Sequence, residues 1–176
     1  MSWHAFLDES RRGSTYLVAV VIVPIRKLDV TRCAMRRLTK PGQRRVHFND
    51  EGDRRRREVL SRIEDFGLRG LIWHCRESND VRARQVWLTD VVPHLVDRGV
   101  SRLVLESCQH QDAEDRRVLA GAVRKAGGGL SYAHFKPAED PVLWISDALA
   151  WCYGAGGDWR RRVSGLLDGV IDLNRS

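Results

Sequence analysis

The apolar stretch His4 to Leu7 runs directly into Asp8, Glu9 and Ser10, and after Arg11-Arg12-Gly13 the chain is apolar again for nearly all of Thr15 to Ile25. The first stretch predicts strand one, Trp3 to Leu7 or Asp8. The second predicts strand two; with both faces apolar, it belongs in the interior of a covered sheet. Residues 28–66 break the pattern and read as an insertion. They suggest a short helix over VTRCAMRRL, a turn at KPGQ, a short strand at RVHF, and a helix over GDRRRREVLSRIEDF with Val59, Leu60, Ile63 and Phe66 on one side. An Asp50 or Asp53 cap would start that helix and Gly67 would stop it.

Farther on, Gly70–Cys75, Ser101–Ser107 and Leu130–Phe135 predict strands three, four and five. A helix capped by Asn79 or Asp80 carries Val81, Val86, Leu88, Val91, Val92 and Leu95 as its apolar side, with Pro93 as a kink point. A second covers Asp112–Ala126, with three acids in its first turn as the helix dipole favours, and ends at the glycine run 127–129. A third covers Pro141–Tyr153, GAGGDW is expected as a loop, and Arg161–Ile171 as a last short helix. This order predicts a single α/β domain over residues 1–176. Its mixed five-stranded sheet has spatial order 3-2-1-4-5 and is covered by helices, with residues 28–66 projecting as an insertion between strands two and three. The same order belongs to the ribonuclease H-like fold.

At 176 residues the chain can bury one real core, and 43% hydrophobic with 30% charged residues is a globular composition. No apolar run approaches the roughly eighteen residues of a membrane span, and the start lacks the features of a signal peptide. Cys33, Cys75, Cys108 and Cys152 are dispersed, which suits free thiols in a reducing cytoplasm better than a disulfide frame or zinc site. The net charge of +7 rests almost wholly on Arg, beside only four Lys. Because the planar guanidinium binds phosphate through two parallel bonds, the Arg clusters at 36–45, 53–58 and 159–164 point toward nucleic acid. Arg54, Arg55, Arg56 and Arg57 are the candidate contacts.

Three acids stand apart. Asp8 ends strand one, Glu106 ends strand four after three apolar residues, and Asp147 is the only acid in the apolar helix PVLWISDALAWCY. Each alone could be a turn former or a bonded structural acid. Together they would meet where parallel strands end, and clustered carboxylates repel unless a cation lies between them. Oxygen ligands of this kind suit Mg²⁺ or Mn²⁺, and two such ions can drive phosphodiester hydrolysis. Asp112 is the nearest candidate for a fourth ligand, with Glu9 and Asp115 behind it. Glu9, His110 and Lys136 are candidates for supporting contacts to the ligands or to phosphate. His47 ranks lower, as an insertion residue.

FLDES near the start and VLWISDALAWCY near the end resemble the signature stretches of the uncharacterised family numbered 3800 among domains of unknown function. That resemblance implies a ribonuclease H-like fold and metal-dependent nuclease chemistry. It assigns Asp8 and Glu9 to the first motif, Asp147 to the last, and Glu106 to the acid at the end of the fourth strand. The chain departs from the pattern at Arg11, where Gly is usual, at Ser146, where Ala is common, and at Glu106 in place of a shorter Asp.

The combined expectation is a nuclease that binds DNA or RNA and uses Mg²⁺ or Mn²⁺. The alternative is a non-catalytic nucleic-acid- or partner-binding protein of the same fold. A small-molecule phosphoesterase would share the metal logic without needing so much Arg. Exposed aromatics among the six Trp would mark base stacking or a homodimer surface.

Overall fold

The computed structural model describes residues 2–174. Six strands, β1 (Trp3–Arg12), β2 (Thr15–Pro24), β3 (Arg69–Arg76), β4 (Val100–Glu106), β5 (Ser131–Phe135) and β6 (Leu167–Asp172), form one sheet in the order β5-β4-β1-β2-β3-β6. The expected 3-2-1-4-5 order is present, with β6 added beside β3. β1, β2 and β3 pair antiparallel, while β4 pairs parallel with both β1 and β5. The doubly apolar β2 is an interior strand because helices cover both faces of the sheet.

On one face lie α3 (Asp80–Asp97) and α4 (Asp112–Lys125); on the other lie α1 (Leu28–Arg36), α2 (Asp53–Asp65) and α5 (Val142–Ala155). The Asn79 side chain starts α3 by accepting from the Arg82 amide at 3.0 Å. The buried side of α3 differs from the expected one. Val81 and Val86 are about half exposed, whereas Ala83, Arg84 and Trp87 turn inward with Leu88, Val91, Val92 and Leu95.

The insertion does not project. Met35, Val46, Phe48, Val59, Leu60 and Ile63 are all buried in the same core as α5, because the apolar sides of α1 and α2 have no other partner. The segment RVHF is not a strand; it leads into a short 3-10 turn, Phe48–Asp50, packed against α5. The expected loop GAGGDW shrinks to a turn at Gly156, after which α6 runs from Gly157 to Ser164.

The expected helix at Arg161–Ile171 is overturned in its second half by β6. Val163, Leu166, Leu167 and Val170 fit a helical spacing, but Leu167, Gly169 and Ile171 also alternate, and the open edge of β3 selects the strand. Close packing there depends on Gly70, where a Cβ would lie 2.9 Å from Leu149 Cδ1 and 3.2 Å from the Val20 carbonyl. Gly70→Ala is therefore expected to destabilise the protein by about 1 to 3 kcal/mol, since the backbone of β2 cannot yield as a side chain would. Chemical denaturation of the two proteins measures the difference.

Candidate functional site

Side chains alternate between the faces of a strand, and the parallel ladder pairs Leu7 of β1 with Leu105 of β4. Those two leucines enter the core under α3 and α4. Asp8 and Glu106, one residue farther along, therefore lie side by side on the α5 face, where β4 ends; β1 does not stop at Asp8 as expected but continues beside β2 to Arg12, because its antiparallel ladder with β2 outlasts its pairing with β4. Above them α5 is docked by Ser146, whose fully buried hydroxyl donates to the Phe6 carbonyl at 2.7 Å. Ser146 thus secures the helix, and the next residue, Asp147, lies near enough to the two strand acids for its charge to act on Asp8 and for that of Glu106 to act on it.

Asp8 is only 6% exposed. Burial pushes its carboxyl well above the usual carboxylate range, helped by a hydrogen bond shared with Glu106 and by the charges of Glu106 and Asp147. The Glu9 amide, donating to Asp8 Oδ1 at 2.7 Å, opposes this only in part. Asp147 is also raised by burial, against the Phe48 amide that donates to its Oδ2 at 2.8 Å and against the charge of His47.

The insertion supplies one wall of this site. Arg45 Nη1 lies 3.6 Å from Glu106 Oε1, and His47 Nε2 lies 3.8 Å from Asp147 Oδ1. His47 Nδ1 lies 2.9 Å from Asp50 Oδ2, and that contact holds the Asp50 carboxyl below its ordinary range. Arg56 braces the segment: Nε donates to the Phe48 carbonyl at 2.9 Å, Nη2 donates to the Asn49 carbonyl at 3.1 Å, and the guanidinium lies 4.1 Å from the Trp151 ring. Arg56 is thus committed inward, and Arg55 is half-buried against Glu58. Arg54 and Arg57 are exposed, with Arg54 Nε 3.6 Å from Glu58 Oε1.

Glu9 points to the opposite face, as strand alternation requires, and does not support Asp8 through its side chain. There it pairs with Arg84, a buried guanidinium that also donates to Asp115 through Nε at 2.9 Å and Nη2 at 2.5 Å, and to the Tyr16 hydroxyl at 3.3 Å. His134 Nε2 lies 3.1 Å from Asp115 and 3.7 Å from Asp112. Asp112, expected as a fourth ligand beside Asp8, is on this side, where it accepts from the Ser107 hydroxyl at 2.5 Å and the Cys108 amide at 2.8 Å. The ligand atoms of Asp112, Asp115 and His134 all lie within 4.8 Å of one another, close enough to hold a divalent ion. Their oxygens already have partners, however. Burial acts to raise Asp115, but hydrogen bonds from Arg84 and His134 outweigh it and hold the carboxyl below its ordinary range.

The two clusters flank a cleft of about 220 Å³ lined by Asp8, Glu9, Arg84, Glu106 and Ser107. His110 is exposed beside Cys108, and Lys136 is exposed at the end of β5. Among the described residues, neither makes a hydrogen bond or ion pair with the three acids. Sequence reasoning missed Arg45 and Arg84 and underrated His47. Arg84 did leave a signal, as a lone cation between Ala83 and Trp87 on the inward side of a helix.

A scan against protein-family models and a search of curated proteins found no match. Among solved structures, a chain of the PCNA:RNase HII complex from Archaeoglobus fulgidus is similar, with a TM-score of 0.56 and 16% identity over 93% of this chain and 75% of that one. RNase H1 from the halophilic archaeon Halobacterium salinarum NRC-1 aligns with a TM-score of 0.40 and 16% identity, over 84% of this chain and 100% of that one. The first likeness and the strand order together define a ribonuclease H-like fold. No helix among the described residues is long and apolar enough to cross a membrane.

The contrast between the clusters can be measured. Asp8 and Asp147 have folded pKa values above the unfolded value of about 3.9, so their ionisation costs stability as pH rises through the folded values. Without metal, Asp8→Asn should raise Tm at pH 8 and shrink the loss of stability between pH 5 and pH 8. Differential scanning calorimetry across that range tests it.

Asp115 has the opposite sign. Its contribution is present above the unfolded value and disappears as pH falls through the depressed folded one. Arg84→Met leaves Asp115 buried without its cation and should cost about 3 to 5 kcal/mol at pH 7, with a smaller penalty in acid. Urea denaturation at pH 7 and pH 4 reads both.

Proposed function

We propose that the protein is a divalent-metal-dependent nuclease of the family numbered 3800 among domains of unknown function, hydrolysing phosphodiester bonds at Asp8, Glu106 and Asp147. One observation carries this reading. On a ribonuclease H-like fold, acids from β1, β4 and α5 gather on one face with only Arg45 and His47 near them and with Asp8 and Asp147 still raised, while the neighbouring cluster is neutralised by Arg84. An all-oxygen set in which the carboxyls of Asp8 and Asp147 are raised fits a hard divalent cation, which would displace the protons that burial and mutual repulsion retain on those two. Mg²⁺ or Mn²⁺ held there would polarise a phosphodiester and lower the pKa of an attacking water.

The chain's own groups prepare the site for such a cation. The Phe48 amide fixes the direction of Asp147, and the Glu9 amide that of Asp8. Arg45 lies beside Glu106 and can draw a phosphate oxygen toward the acids. In neutral His47, a proton on Nδ1 bonded to Asp50 leaves Nε2 with its lone pair facing the Asp147 side, where it can take up a proton released during hydrolysis. Exposed Arg54 and Arg57 on α2 are further contacts for a polynucleotide backbone.

Calorimetric titration with Mn²⁺ should show binding to the wild type that is lost in Asp8→Asn and Asp147→Asn, both remaining folded by circular dichroism. Metal-dependent cleavage of DNA or RNA should fall at least 100-fold in the same variants, as for removal of a group that stabilises developing charge. Wild type that binds no divalent ion at millimolar concentration would leave the fold in place and remove the nuclease.

A further inference from the structure

The α5 face carries a second polar feature at the same edge of the sheet. A cavity of about 460 Å³ opens between the ends of β1, β2 and β3 and the last turn of α5. Arg12, Arg76 and Arg160 line it, together with His74 and Tyr153. Most arginines near the acids of this chain are matched with them, as Arg11 is with Asp80, Arg32 with Asp140, Arg69 with Asp168 and Arg162 with Glu64. Among the described residues, none of the three cavity arginines has a carboxylate oxygen within 4.0 Å. The one acid in the lining, Asp172, faces His74 at 3.8 Å and accepts from Asn174.

Two of the three cations are held in place by main-chain and aromatic groups that leave their charge unbalanced. Arg160 donates to the Tyr153 carbonyl at 2.9 Å and lies 4.2 Å from the Tyr153 ring. Arg12 reaches the Trp151 carbonyl at 3.4 Å and lies 5.4 Å from the Trp151 ring. It crosses α5 at Gly154, where a Cβ would lie 2.7 Å from its Nε. Arg76 is exposed, and its guanidinium has no hydrogen-bond or ion-pair partner among the described residues.

The cavity and the acids share a track. Asp8 and Arg12 lie on the same face of β1, four residues or about 13 Å apart at ~3.3 Å per residue. Asp147 and Trp151 lie one turn apart on α5. We propose that the cavity is a phosphate-binding subsite that takes the backbone of a polynucleotide strand a few nucleotides from the bond held at the acids. This rests on the nuclease reading above for its substrate, but its binding is read without metal. Three guanidiniums in one concavity, none facing a carboxylate among the described residues, match phosphate oxygens in charge and fork geometry, and the open mouth admits a continuing strand.

The test is the affinity of wild-type protein for a fluorescent single-stranded oligonucleotide by anisotropy in EDTA, over a series of salt concentrations. Arg76→Gln should lower affinity about fivefold at 0.1 M salt and reduce the salt slope by about 0.7, the loss of one phosphate contact. Arg124→Gln on the opposite face makes the same charge change and should leave both unchanged. Equal effects of the two variants would assign the binding to net charge and overturn the subsite. Inorganic phosphate that binds the wild type and not Arg76→Gln, with oligonucleotide affinity equal in both, would overturn the polynucleotide assignment. The two readings fail separately. Cleavage with an unaltered Arg76→Gln salt slope removes the subsite alone, whereas a reduced slope without any metal-dependent cleavage removes the nuclease alone.

Discussion

Parallel pairing of β1 with β4 forces two like charges together. Once Leu7 and Leu105 are paired in register inside the core, Asp8 and Glu106 have no freedom to separate except by abandoning the ladder. α5, held by the Ser146 hydroxyl, then brings a third acid over them. Most of the polar architecture around the sheet edge can be understood as a response to this crowding. Amides from Glu9 and Phe48, the guanidinium of Arg45 and the imidazole of His47 soften the repulsion, yet Asp8 and Asp147 remain raised. A protein selected only for stability would replace one of these acids with a neutral residue, since leaving charge unpaired in a dry site is costly.

The opposite face shows what a balanced cluster looks like in the same fold. Arg84 occupies the centre of Glu9, Asp115 and Tyr16, all three of which accept from it, with His134 and Asp112 at the margin. Its pKa rises in spite of burial, because the hydrogen bond to Asp115 and the surrounding charge outweigh desolvation. Here the protein carries its own cation. The cluster ties β1 to α3 and α4 and thereby supports the part of β1 from which Asp8 projects, so the two faces divide the work between a fixed ion pair and a site with open demand for charge.

Much of this was legible in the sequence, for identifiable reasons. β2 announced itself because a strand buried on both faces must be apolar at every position, and the strand order followed from the sequence of crossovers. Asp8, Glu106 and Asp147 were visible because each interrupts an apolar run, a contrast that survives without knowing any contact. β6 was hidden because LLDGVIDL satisfies two periodicities, and only the exposed edge of β3 decides between them. The packing of the insertion was hidden for a related reason: the apolar sides of α1 and α2 were readable, but their partner, α5, lies about a hundred residues away in the chain. Arg45 and His47 could not be ranked above other surface residues until that packing folded them back over the acids.

The stretch from Asp8 to Arg12 compresses this organisation into five residues. Strand alternation sends Asp8 and Arg12 to the α5 face, and Glu9 and Arg11 to the face of α3. Glu9 and Arg11 find opposite charges there, Arg84 and Asp80, and become part of the scaffold. Asp8 meets other acids, and Arg12 meets other cations. A segment that looks like a self-neutralising turn is therefore separated by its own pleat into two satisfied charges and two unsatisfied ones of opposite sign. The unsatisfied pair lies about 13 Å apart on a single surface. A ligand carrying metal-bridgeable oxygens at one point and repeated negative charge along its length would satisfy both ends at once.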